Sequence, residues 1–146
     1  MIAKTDLSGS WGFRADEAMQ GLSGRFWEQQ PADQIPLPST TSAQRKGSPN
    51  PKREEGFLTD AYAFEGWAWY YKTVELGELP PDSCVELFLE RTRMTKLWVN
   101  GRAVGGFDSL CTPHIYDISD YIAQGKAELC LLVSNTGYPT KGGHLT

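Results

Sequence analysis

A chain of 146 residues, 40% of them hydrophobic and 22% charged, is ordinary for one soluble globular domain that buries its own core. Its net charge of −4 argues against nucleic acid or an anionic membrane as partner, since both need a basic surface. Cys84, Cys111 and Cys130 are an odd, widely spaced set with no CxxC step. They make a poor disulfide framework and no metal site, and they point to a reduced, cytoplasmic chain. No apolar leader resembles a signal peptide, and no stretch is long enough to span a membrane.

Taken in order, the chain shows almost no helical periodicity; alternation recurs instead. The opening MIAKTDLSGSW reads as a native start leading straight into structure. In SGSWGFRAD, Trp11 and Phe13 point one way. From Gln29 to Gly56 the chain is rich in Pro, Ser, Thr, Gln and charge, and only Ile35 and Leu37 look buried. This predicts a long irregular loop near 29–56, either functional or a plain surface excursion. Arg45, Lys46, Lys52 and Arg53 within it read as solvated charges. In GWAWYYKTVEL, Trp67, Trp69, Tyr71 and Thr73 line one face, and Ala68, Tyr70, Lys72 and Val74 the other. The two prolines of GELPPD, Gly77 to Asp82, exclude a strand interior. In CVELFLER, Val85, Leu87 and Leu89 are expected inward, with Glu86 and Glu90 outward.

The run LWVNGRAVGG follows. Asn100-Gly101 predicts a two-residue type I′ hairpin turn, which needs φ > 0 at both central positions. In PHIYDIS, Ile115 and Asp117 alternate with His114, Tyr116 and Ile118. Ser119 to Gly125 reads as one helical turn, with Ser119 as N-cap and Gly125 as the stop. In AELCLLVSN, Leu129, Leu131 and Val133 form the last inward row, and Cys130 sits in the core. The final SNTGYPTKGGHLT is turn chemistry and reads as a chain cut in mid-loop. Many short strands with regular turns predict one all-β domain over 1–146, a sandwich or barrel.

Three pieces, in order, carry a family resemblance. In EGWAWYYK, Gly66, Trp69 and Tyr70 match a G-x-x-W-Y step followed by a basic residue. WVNGRAVG, Trp98 to Gly105, matches a W-x-N-G-x-x-V-G hairpin. YDISDYIAQGKAELCLLVSN matches a D-I-(S/T) turn followed by a strand that ends in V-x-N. Together they resemble the N-terminal sugar-binding domain of glycoside hydrolase family 2, the family of β-galactosidases and β-glucuronidases. Two places depart from the pattern. Lys126-Ala127-Glu128 replaces the usual G-x-N step, and FDSLCTPH after Gly106 replaces a more glycine-rich stretch.

The resemblance implies a jelly-roll β-sandwich of the galactose-binding type. It implies a parent enzyme that hydrolyses β-glycosides with retention, through two carboxyl groups about 5–5.5 Å apart. In the family both sit in a (β/α)₈ barrel, which takes about 250 residues, more than this chain has. The domain itself is therefore expected to be non-catalytic. Its expected role is to support the catalytic barrel of the same parent chain and to lend loop residues to carbohydrate binding. An autonomous carbohydrate-binding module of the same fold is the alternative.

The residues agree that the chain carries no chemistry of its own. His114 and His144 lack HxxxH or HExxH spacing, and GxSxG, P-loop and GxGxxG motifs are missing. No base is placed to activate Cys111. No catalytic residue, metal or cofactor is expected. Sugars stack their apolar C–H face on aromatic rings and offer hydroxyls at the edge. The aromatic strand at Trp67–Tyr71 reads as core, so Trp27 and Tyr138, in loop contexts, are the stacking candidates. Asn135, at the end of the last strand, and His144 are the candidates for a place near a substrate site. For Asn135 a turn-capping side chain is the competing reading.

Overall fold

The computed structural model describes residues 2–49 and 62–136, and within them the alternating runs are strands. A six-stranded sheet has the order β2 (Asp33–Leu37), β1 (Gly9–Asp16), β5 (Trp67–Glu75), β10 (Lys126–Ser134), β7 (Met94–Val99), β8 (Arg102–Phe107). The pairs within it are antiparallel. β6 (Glu86–Leu89) pairs with β9 (His114–Asp117), and the short β3 (Ser48–Pro49) with β4 (Tyr62–Ala63). There is no α-helix among the described residues. This is the all-β architecture that the alternation predicts, in the sandwich form that the resemblance implies.

Both faces of the large sheet are buried along its central strands, by different things. Toward the β6–β9 pair, Trp11, Phe13, Ala68, Leu97, Val99, Ala127, Leu129 and Leu131 meet Leu87, Tyr116 and Ile118. On the opposite face, Trp69, Trp98, Cys130 and Leu132 are covered by Leu22, Phe26 and Trp27 from the segment after β1. Near-complete burial of a side chain such as Trp69 or Leu97 stabilises by about 2 kcal/mol. This explains why β10 carries apolar residues on both sides from Leu129 to Leu132. Val133, expected in the inward row, is only half-buried; Ala127, Leu129 and Leu131 make that row.

Two further readings change. The stretch 29–56 is not irregular throughout. Asp33–Leu37 is an edge strand that places Ile35 opposite Trp11, fully buried. Pro36 is tolerated there because an edge strand leaves one side of its backbone unpaired. Ser48–Pro49 also pairs, and residues 50–61 lie outside the described ones. Nor does Ser119 cap a helix. It opens a 3-10 turn, Ser119–Tyr121, that has no side-chain cap. Its hydroxyl accepts from the Val85 amide at 2.8 Å and donates to Asp117 Oδ1 at 2.6 Å. The hydroxyl tethers the start of β6 instead of satisfying the turn. Gly125 (φ +70) forms a two-residue turn with Gln124 (φ +52) that closes Ala123 onto Lys126. A Cβ on Gly125 would lie 2.5 Å from the Gly77 carbonyl oxygen, so only glycine fits.

The expected hairpin is present. Asn100 (φ +50) and Gly101 (φ +77) both take the left-handed conformation that a type I′ turn requires. A register shift between Leu97 and Trp98 adds one residue on β8.

Candidate functional site at the Asn135 end of the sheet

Register brings three strand ends together. Trp67, the first residue of β5, lies opposite Asp16, the last of β1, and opposite Ser134, the last of β10. The segments 17–21, 64–66 and 135–136 therefore share one end of the sandwich.

Asn135 ties two of them. Its Oδ1 accepts from the Gly66 amide at 2.8 Å, and its Nδ2 donates to the Phe64 carbonyl at 2.6 Å. Its own amide donates to the Gly66 carbonyl at 3.3 Å. Both ends of the carboxamide are thus engaged by backbone, as in the turn-capping reading. Gly66 (φ +133) presses so close that a Cβ would sit 2.8 Å from Glu17 Cα.

Asp16 ties the third segment. It is 5% exposed, and its carboxylate accepts from the Gln20 amide at 2.9 Å, the Gly21 amide at 2.7 Å and the Trp69 indole at 3.0 Å. Three donors satisfy a buried carboxylate that would otherwise be costly. The same bonds press Gly21 onto Trp69: a Cβ there would meet the indole at 2.5 Å. Asp16 and Gly21 were missed in the sequence, although Asp16 closes the quoted WGFRAD run. A signal was available, since Asp16 shares a strand face with Gly12 and Arg14, opposite Trp11 and Phe13. Between the three segments lies an open depression of about 420 Å³, lined by Glu17, Met19, Glu65, Gly66 and Thr136.

Trp27 lies elsewhere. It belongs to the 3-10 turn Phe26–Glu28, half-buried over the middle of the sheet. Its ring stacks on Trp98 with centroids 4.9 Å apart and planes 5° from parallel, and tilts against Trp69 at 6.4 Å. The Arg25 guanidinium, paired with Glu28, is 5.3 Å from its centroid. Trp69 and Trp98 lie level with Leu132 and Cys130 of β10, so Trp27 and Asn135 are not in one site. Tyr138 and His144 lie outside the described residues.

Other buried and half-buried titratable groups sit in structural settings. His114 is fully buried, with Nδ1 2.7 Å from Thr95 Oγ1 and Nε2 donating to the Ser109 carbonyl at 2.7 Å. Burial pushes the Cys130 thiol and the Tyr70 hydroxyl up to about 12. Burial also raises Tyr71, whose hydroxyl donates to the Phe26 carbonyl at 2.8 Å. Among the described residues no three His, Cys, Asp or Glu side chains gather as a metal site, and no helix is long and apolar enough to cross a membrane. The arrangement offers hydrogen bonds and shape, with no activated nucleophile.

Residues 4–140 match the family model described as glycosyl hydrolases family 2, sugar binding domain. No curated protein matches the chain. Among solved structures, a Ruminococcus gnavus β-glucuronidase in complex with uronic isofagomine superposes with a TM-score of 0.70 at 21% identity, covering 88% of this chain and 20% of that one. A second structure of the Ruminococcus gnavus enzyme gives 0.71 at 19% identity, with the same coverage. A complex with D-glucaro-d-lactam gives 0.71 at 19%, covering 88% of this chain and 21% of that one. At these identities the likeness is one of fold, and the chain spans about a fifth of the length of those enzymes.

Proposed function

Because the chain belongs to the sugar-binding domains of glycosyl hydrolase family 2, we propose that it is the non-catalytic sandwich of a retaining β-glycosidase. The parent is of β-galactosidase or β-glucuronidase type, and its carboxyl dyad sits in a barrel beyond this chain. The domain supports that barrel and presents its Asn135 end toward it. Tyr138 and His144 come three and nine residues after Asn135 and are the residues that would approach bound carbohydrate. The three thiols fit a reducing, cytoplasmic setting.

One observation carries the scaffold reading over an autonomous sugar-binding module: Trp27, Trp69 and Trp98 are spent on packing against one another. Trp69 is fully buried, and the half-buried Trp27 has one ring face stacked on Trp98. A sugar platform needs an open ring face. The depression beside Asn135 favours the second reading, because it sets Glu17, Glu65 and Thr136 beside the apolar Met19.

Titration of the purified chain with galactose, glucuronic acid, lactose and β-linked oligosaccharides, followed by NMR shift mapping, separates them. The scaffold reading expects no saturable shift at millimolar sugar. Saturable shifts at Trp27 or around Glu17, Glu65 and Thr136 would replace it with the autonomous module and name the ligand.

A further inference from the structure

We infer that Asn100-Gly101 is a deamidation site that the fold holds in check, so that its conversion is gated by local opening of the β7–β8 hairpin. Asn-Gly is the most reactive setting for this chemistry, because glycine has no side chain to obstruct its own backbone nitrogen. The Gly101 nitrogen, after losing its proton to water, attacks Asn100 Cγ. The N–Cγ bond forms, the Cγ–Nδ2 bond breaks, and the nitrogen leaves as ammonia with a proton from water. Water then opens the succinimide at either carbonyl, leaving aspartate or isoaspartate. One water is consumed and one ammonia released, with no redox partner.

The folded chain restrains that attack at both ends of the side chain. Asn100 Nδ2 donates to the Tyr121 carbonyl at 2.7 Å and the Lys126 carbonyl at 3.0 Å. Oδ1 accepts from the Glu128 amide at 3.0 Å. The Asn100 amide donates to the Glu128 carbonyl at 3.0 Å. The carboxamide is thus held toward β10 and the 121–126 turn. To reach the Gly101 nitrogen it must release all three side-chain bonds. Local openings of this kind are populated well below global unfolding, so the hairpin can react while the sheet stays folded.

The product cannot restore the clasp. A carboxylate has no N–H for the Tyr121 and Lys126 carbonyls, and it sets an anion against both. Isoaspartate also adds a carbon to a backbone whose turn sets the β7–β8 register. Each opening that reacts is therefore removed permanently from the native population.

The test compares the folded chain, the urea-unfolded chain and a free peptide spanning Lys96–Gly105 in neutral buffer at physiological temperature. Peptide mapping by mass spectrometry follows conversion at Asn100, and released ammonia gives an independent measure. The peptide and the unfolded chain should convert at one rate, and the folded chain about a hundredfold more slowly, since several hydrogen bonds must open together. Conversion of the folded chain at the peptide rate would overturn the protection. A urea series below the unfolding transition tests the gate. A rate that rises before the global transition supports local opening, and one that rises only with it overturns that part. Gly125→Ala, which disturbs the turn carrying the Lys126 carbonyl, should speed conversion in the folded chain and leave the peptide rate untouched.

Discussion

A carboxamide carries a donor and an acceptor on one carbon, so it can bridge an amide and a carbonyl of neighbouring backbone. The chain uses this at both ends of β10. Asn100 binds Glu128 near its start, and Asn135 binds Phe64 and Gly66 just past its end. For the first, the dipeptide alone states the turn type, though not the bond to Glu128. The second could be read only as a choice between capping a turn and facing a ligand, since a single Asn after a strand says nothing about which backbone lies opposite. At Gly101 a Cβ would meet nothing within 4 Å, so the demand for glycine there is purely one of backbone angle. Gly101→Val puts a β-branched residue at φ +77 and should destabilise the fold by about 1–3 kcal/mol. Thermal unfolding of the variant checks this; an unchanged midpoint would mean that the turn relaxes to another type.

Among elements, the strands were legible and their cover was not. Alternation marks a strand wherever one face is buried, and Trp11, Phe13, Leu87 and Tyr116 all face the core as the period requires. The segment from Leu22 to Trp27 has no period, yet it closes the second face of the sheet. Its hold includes the Asp16 carboxylate, the Tyr71 hydroxyl on the Phe26 carbonyl, the Trp27 stack on Trp98, and the contacts of Phe26 and Trp27 on Trp69, at 5.8 and 6.4 Å between centroids. Asp16→Ala leaves the Gly21 amide and the Trp69 indole without their acceptor. It should destabilise by about 2–4 kcal/mol, since buried donors that lose a partner retain their full desolvation cost. Near-ultraviolet circular dichroism should lose the tryptophan couplets at the same time. Loss of stability with the couplets intact would mean that the aromatic contacts and the Tyr71 hydrogen bond hold the segment without Asp16.

For the molecule as a whole, burial on both sheet faces makes stability fall in alkali. Cys130 titrates near its ordinary value of 9.0 when unfolded and at about 12 when folded. The folded state therefore keeps a proton that the unfolded state has lost. Stability is full below about pH 9 and declines as pH rises toward 12. Tyr70 adds to the same trend between about 10 and 12. Urea unfolding at stepped pH should show the decline, and Cys130→Ala should flatten its lower part; an equal slope in the variant would assign it elsewhere. The order of turns and alternating runs sufficed to specify an all-β sandwich or barrel, because period and turn chemistry are local properties of the chain, and three short motifs carried the resemblance that narrowed it to a sandwich and a family. Packing alone decided that the aromatic strand serves two cores, that residues 33–37 form an edge strand, and that Asn135 faces backbone. Each of these depends on which distant segment lies opposite, and a one-dimensional pattern does not carry that information.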